Sequence, residues 1–93
     1  MADVKVSIQN NVITVDKDKV QVWKNQDKVK WQGDQEFGIR FQDGSGFPDP
    51  VITQQGGKWA GETGPFTTSG FTLKYDVTSP HAPTLDPQIQ VLP

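Results

Sequence analysis

Few side chains in this sequence have the chemistry to catalyse a reaction or to hold a metal ion. His81 is the only imidazole, and the chain contains no cysteine. Disulfides, thiolate metal sites, iron–sulfur clusters and cysteine nucleophiles are therefore excluded. His81 follows Pro80 in a proline-rich stretch, where two roles remain open. It is either a metal ligand or pH-sensitive contact, or a surface histidine that is hydrogen-bonded to neighbouring backbone.

The other polar residues do not complete a catalytic or metal-binding set around His81. Even with Asp76 or Asp86, His81 lacks the three or four ligands that zinc takes. For the hydroxyls at positions 67–69, His81 is the only imidazole in the sequence that could act as a base. No Gly-x-Ser-x-Gly nucleophile elbow is present. Residues 43–46 (Asp-Gly-Ser-Gly) lack the further carboxylates and the terminal Glu of a calcium loop. We therefore expect no enzyme activity and no cofactor.

Alternation of apolar and polar residues is the dominant pattern of the chain. It places one face of each strand in a core and the other face in water. Six to eight short strands, separated by turn residues such as Asn10-Asn11 and Gly56-Gly57, indicate one all-β sandwich or barrel domain over residues 1–93. The expected core positions are Val4, Val6, Ile8, Ile13, Val15, Val20, Val22, Val29, Trp31, Phe37, Ile39, Phe41, Phe71, Leu73, Tyr75, Val77, Ile89 and Val91.

The segment 42–70 departs from this alternation. It holds seven of the nine glycines and three of the seven prolines, and its apolar residues are scattered. We expect a long, ordered excursion with at most one short strand, a kind of loop that is often functional. Trp59 lies within it and has two interpretations. It anchors a partner, as tryptophans at interfaces do, or binds sugars by stacking; alternatively it folds back onto Phe47 and Phe66.

The other two tryptophans differ in their register. Trp31 follows Val29 at a spacing of two, so we expect its side chain in the core. Trp23 is out of step with Val22, so we expect its side chain on the opposite face or at a sheet end.

Three segments carry spacings that a known family shares. Residues 25–31 (Asn-Gln-Asp-Lys-Val-Lys-Trp) are similar to a strand pattern G-D-x-V-x-W, and residues 37–41 (Phe-Gly-Ile-Arg-Phe) to H-x-V-x-F. Residues 70–91 are similar to an ending with G-x-[YF]-x-Y-x-C, then P-H, then M and V-x-V. Together these segments resemble the cupredoxins, the small β-sandwiches of plastocyanins, azurins and pseudoazurins. The resemblance covers residues 12–92 and implies an antiparallel or mixed Greek-key β-sandwich.

The resemblance also implies a copper site, but most of its ligand types are absent here. Cupredoxins hold one copper ion with two histidines, one cysteine and an axial methionine. The positions carried over are Phe37 for the first histidine, Val77 for the cysteine, His81 for the second histidine and Leu85 for the methionine, with one extra residue before His81. A blue-copper site requires the thiolate. We therefore expect the three apolar residues to pack as a plug, each contributing about 1.5–3 kcal/mol by its burial.

Charge and hydropathy limit the classes of partner. The net charge is −2, with +2 over residues 1–31 and −4 over residues 32–93, and the isoelectric point is about 5.1. Lysines interleaved with Trp23 and Trp31 are typical of a single-strand binder, but aspartates among them dilute the positive field, which argues against nucleic acid. No stretch is apolar over the ~18 residues of a membrane span. Without an apolar leader, we expect a cytoplasmic protein, or a periplasmic or secreted one if a signal peptide has been removed.

The sequence thus predicts a metal-free, non-enzymatic binding or structural module that acts through protein–protein contacts. The segment 42–70 with Trp59 is the best candidate contact, and Phe47, Phe66 and Trp23 are further binding candidates. Weak copper binding through His81 is one alternative. Self-assembly by addition of edge strands is another.

Overall fold

Ten β-strands form in the described part of the chain. The computed structural model describes residues 2–42, 47–66, 70–80 and 82–92; the side chain of Phe71 lies outside the described part. The strands are β1 (Ala2–Gln9), β2 (Val12–Val15), β3 (Lys19–Trp23), β4 (Val29–Gly33), β5 (Gly38–Phe41), β6 (Thr53–Gln55), β7 (Lys58–Thr63), β8 (Phe71–Ser79), β9 (Ala82–Leu85) and β10 (Gln88–Leu92).

The strands form two mixed sheets of five strands each. The first sheet has the order β2-β1-β4-β7-β6, in which β1 and β4 are parallel and the other neighbours are antiparallel. The second sheet has the order β3-β10-β8-β5, with β9 paired to β8, and its parallel pair is β10 with β3. The sheets pack as one compact all-β domain with a radius of gyration of 12.7 Å.

Alternation predicts the core well, because inward positions recur every second residue. Every expected core position with a described side chain is buried except Val15, which is half-buried. Phe66 is buried in addition. Trp31 of β4 and Tyr75 of β8 join the two sheets at their centre. The indole Nε1–H donates to the Tyr75 hydroxyl at 3.2 Å, and the two rings meet edge to face at 5.4 Å.

The environment of Tyr75 favours its neutral form. Burial raises the pKa of the Tyr75 phenol above its usual value, and the nearby carboxylates of Asp16 and Asp18 raise it further. The hydrogen bond from Trp31 lowers this pKa and so acts in the opposite direction. The phenol is therefore a structural group that remains protonated and accepts the indole N–H.

Two hairpins form the edges of the first sheet, and both turn in two residues. Asn10 and Asn11 link β1 to β2 with φ of 54° and 63°, and Gly56 and Gly57 link β6 to β7 with φ of 57° and 82°. Two consecutive positive φ values are the condition for a type I′ turn, which matches the twist of the flanking strands.

The prediction of at most one strand within residues 42–70 is wrong. β6 and β7 form a hairpin that widens the first sheet, because the two turn glycines adopt positive φ without steric cost. Alternation misses β7 because an inward position holds Gly61, where any Cβ would overlap the carbonyl oxygen of Val51. This hairpin and the short β9 also explain why there are more strands than the six to eight expected.

Candidate functional site

Three of the four positions that the cupredoxin resemblance assigns to copper ligands lie in an apolar region of the core. Val77 is fully buried and pairs with Ile39 on one side and with Leu85 on the other. Phe37 is 4% exposed and directly precedes β5, next to the end of β8. Phe37 and Val77 belong to the hydrophobic cluster that forms the core of the domain, and the half-buried Leu85 packs against that cluster. Apolar side chains of this kind provide no donor atom for a metal ion.

His81 lies outside the described residues. Within the ranges that the structure describes, no group of three or more His, Cys, Asp or Glu side chains could hold a metal ion. The possible metal role of His81 therefore stays a prediction.

The aromatic residues of the segment 42–70 are mostly packed. Phe66 is 1% exposed, and its ring meets that of the half-buried Phe47 edge to face at 5.2 Å. Trp59 is also half-buried against the core, and it pairs with Gln54 of β6 and with Gly33 of β4. Part of the Trp59 side chain thus remains accessible beside β6, whereas Phe66 contributes packing alone.

The edge strands of the two sheets differ in their protection. At the β5 edge of the second sheet, the outward N–H of Phe41 donates to Asp49 Oδ1 at 2.8 Å, so a side chain occupies the edge. At the β6 edge of the first sheet, Thr53, Gln54 and Gln55 are all exposed, and Val51 just before them is 76% exposed. Residues 51–57 carry no charge. β6 therefore lacks the charged side chains that commonly protect an edge strand.

A second accessible surface lies on the outer face of the second sheet. Trp23 is 51% exposed at the end of β3 and pairs with Leu92 of β10. The next outward row holds Gln21, Gln90 and Thr72 on three adjacent strands, and Gln21 Nε2 donates to Gln90 Oε1 at 3.1 Å. We call these residues, Trp23, Leu92, Gln21, Gln90 and Thr72, the Trp23 face. The expectation that Trp23 points away from the core is confirmed.

A cleft borders the Trp23 face at Gln21. It has a volume of about 510 Å³ and is lined by residues of β1 and β3 and by the lysine between them, namely Ala2, Asp3, Lys17, Lys19, Val20 and Gln21. The Lys17 ammonium already donates to the Asp3 carbonyl oxygen and lies 3.9 Å from Asp16 Oδ2. For the Trp23 face, the alternation in the sequence predicts that Gln21 and Gln90 point outward. Only the pairing of β3 with β10 shows that these two residues are neighbours.

The fold and these surfaces define a small all-β domain of two packed sheets. Comparison of the chain with protein-family models, with curated proteins and with solved structures finds no match in any of the three. In the described ranges, no helix has the length and apolar character needed to cross a membrane.

Proposed function

We propose that the protein is a metal-free, non-enzymatic binding module that engages a partner protein at the edge of β6. The observation that carries this proposal is the exposed, uncharged edge strand β6, next to the exposed Val51 and the half-buried Trp59. An extended segment of a partner adds to such an edge as a further strand, and its main chain supplies most of the affinity.

The backbone of Gln54 is the centre of the proposed contact. The two-residue turn makes Gln55 and Lys58 the hydrogen-bonded pair that closes the hairpin. Because hydrogen bonding alternates along an antiparallel ladder, the N–H and C=O of Gln54 point away from β7. A partner strand would pair with these two groups, and its inward side chains would reach the stem of Gln54 and the accessible part of Trp59.

The scaffold is, in this proposal, a cupredoxin-like sandwich without its copper site. The similar segments at 25–31, 37–41 and 70–91 lie at β4, at β5 and across β8 to β10, which supports the likeness. The burial of Phe37 and Val77 supports the loss of the metal, because their apolar side chains stand where ligands would be.

A peptide selection with matched variants tests the contact at β6. The probe is a phage-displayed library of random twelve-residue peptides, selected on the wild-type protein. Gln54→Pro removes the outward N–H without removing a hydrogen bond to β7, and Gln54→Thr keeps that N–H. We expect selected peptides to bind wild type and Gln54→Thr equally, and Gln54→Pro about tenfold more weakly.

Two outcomes would contradict the contact. Selection without enrichment, or peptides that bind Gln54→Pro as well as wild type, would exclude strand addition at β6. Sedimentation over a range of concentrations identifies the special case in which a second copy of the chain occupies the edge; a monomer at all concentrations excludes that case.

Thermal unfolding tests the metal-free part separately. A metal ion at 100-fold excess over its dissociation constant stabilises a folded protein by about 2.7 kcal/mol, which in a domain of this size raises Tm by roughly 10–20 °C. We expect no shift with copper(I), copper(II) or zinc. A shift that disappears in His81→Ala would establish the copper-binding alternative instead.

A further inference from the structure

Trp23 is an exposed aromatic side chain on a rigid piece of backbone. Its N–H donates to Asp27 Oδ2 at 2.9 Å, and its carbonyl oxygen accepts from the N–H groups of Gln26 and Asp27, both at 3.3 Å. The next residue, Lys24, donates its N–H to the Leu92 carbonyl at 2.9 Å. The turn therefore holds the backbone that carries the indole before any ligand arrives, so binding needs to order only the side chain, and less conformational entropy is lost.

The row beside Trp23 is uncharged and rich in hydrogen-bonding groups. Gln21 and Gln90 each present a primary amide, and Thr72 presents a hydroxyl; amides and hydroxyls both donate and accept. The side-chain bond between Gln21 and Gln90 holds both amides in place while leaving further donors and acceptors of each available. The three strands that carry the row lie about 4.8 Å apart, so its hydrogen-bonding side chains extend over about 10 Å of the sheet.

We infer that the Trp23 face is a binding site for a neutral saccharide. The axial C–H groups of a pyranose ring carry small positive charges and pack against the electron-rich face of an indole. The ring hydroxyls then meet the amides of Gln21 and Gln90, and the cleft beside Gln21 accepts a second sugar unit. This site lies on the second sheet and is separate from the protein contact proposed at β6.

Nucleic acid fits the same face less well. A single-strand binder stacks successive bases on several aromatic side chains and follows the phosphates with cations. Trp31 is fully buried, so it offers no second stacking surface. The row next to Trp23 contains amides instead of cations, and Asp27, which accepts the Trp23 N–H, adds a negative charge. Lys19 and Lys74 lie one row further from Trp23, and Lys74 Nζ is 3.9 Å from Asp86 Oδ2.

A protein partner also fits the face less well. Tryptophans that anchor protein interfaces are surrounded by contacts that exclude water. Trp23 has one apolar neighbour across the ladder, Leu92, and its other neighbours in the face are the polar Gln21 and Gln90. The amides of Gln21 and Gln90 beside the indole can donate to and accept from the hydroxyls of a sugar, whereas an apolar protein surface would leave them without partners.

Affinity electrophoresis in native gels tests the inference. The probes are soluble neutral polysaccharides (a β-glucan, a xylan, a mannan and a galactan), each embedded in the gel. We expect at least one of them to retard the wild-type protein, Trp23→Ala to weaken binding at least about tenfold, and Trp23→Phe to retain part of it. Val12→Ala is the matched control, because Val12 is 55% exposed but belongs to the first sheet.

Salt dependence and a second variant complete the test. Retardation by a neutral ligand should not change between about 0.05 and 0.5 M NaCl, whereas binding of single-stranded DNA should fall steeply. Gln21→Ala should weaken saccharide binding, and Gln54→Pro should leave it unchanged, which separates this site from the β6 contact. No retardation by any of the polysaccharides, equal retardation of Trp23→Ala, or salt-sensitive binding of DNA at Trp23 would each overturn the inference.

Discussion

The two hairpins at the edges of the first sheet share a turn geometry but differ in burial. The β1–β2 hairpin turns through Asn10-Asn11 and directs Ile8 and Ile13 into the core, where both are buried. The β6–β7 hairpin turns through Gly56-Gly57, and all three residues of β6 are exposed. The inward position of β6 that pairs with Trp59 holds the polar Gln54.

Turns of the same geometry thus form both hairpins, whereas the inward side chains determine how much apolar surface each hairpin buries. β4 lies between the hairpins, paired with β1 on one side and with β7 on the other. One edge of the same sheet thus buries apolar side chains in the core, whereas the other edge buries less apolar surface and is exposed.

The largest expected effect is in the buried hairpin. Ile13 is 3% exposed, so Ile13→Ala leaves a cavity and should lower the free energy of unfolding by about 2–5 kcal/mol. The neighbouring Val12 points outward, and Val12→Ala should change the free energy of unfolding by less than about 0.5 kcal/mol. Urea unfolding of both variants measures the difference; similar losses in the two would remove the distinction between inward and outward positions.

The second prediction concerns the strand that both hairpins flank. Tyr75→Phe removes the oxygen that accepts the hydrogen bond from Trp31 Nε1. The buried N–H then has no partner, which costs about 1–3 kcal/mol. Because β4 pairs with β1 and β7, we expect faster hydrogen exchange in both hairpins. Acceleration confined to one of them, measured by mass spectrometry, would show that β4 does not couple the two edges.

Alkaline pH provides a second test of the contact between Trp31 and Tyr75. Burial raises the pKa of Tyr75 in the folded state, so the folded chain keeps this proton where the unfolded chain releases it. The contribution of Tyr75 is therefore fully present below about pH 10 and is lost as the pH rises further. We expect wild type to lose stability above that pH more steeply than Tyr75→Phe. Tyr75 is the only tyrosine, so phenolate absorbance follows its titration directly.

The smallest expected effects are in the turns. Gly57→Ala places a side chain at φ 82°, where the added Cβ meets no other atom, so the cost is that of the backbone alone, about 1–2 kcal/mol. Asn11→Gly should change stability by only a few tenths of a kcal/mol, because glycine adopts the same φ freely. Thermal unfolding of both variants measures the difference in Tm. Equal effects would mean that the positive φ of Gly57 does not make this position more sensitive to a side chain than Asn11 is to its loss.

Local patterns predict the core and miss the features that depend on distant pairing. Trp31 and Trp23 are placed correctly because side-chain direction depends only on register within one strand. β7 is missed because its inward Gly61 reflects the close passage of Val51, which no local pattern shows.

The row that carries the proposed saccharide site depends on pairing across the whole chain. Gln21 meets Gln90, which lies 69 residues later in the sequence. Outward polar residues of two strands look alike until the neighbours of each strand are known. The alternation therefore predicts that Gln21 and Gln90 face solvent, and leaves open that they are side by side.

The parallel pairing of β3 with β10 also joins two segments that are far apart in the sequence. β10 lies between β3 and β8, so the second sheet has a gap at its interior until residues 88–92 are present. Among the described strands of that sheet, β3 pairs with β10 alone, so it gains this neighbour only once residues 88–92 have been made. Pairing across so long a stretch of sequence forms slowly, because the entropy of closing the loop is lost before the contacts form. The inner side of β3, with the buried Val20 and Val22, therefore lacks its sheet neighbour until β10 has been made.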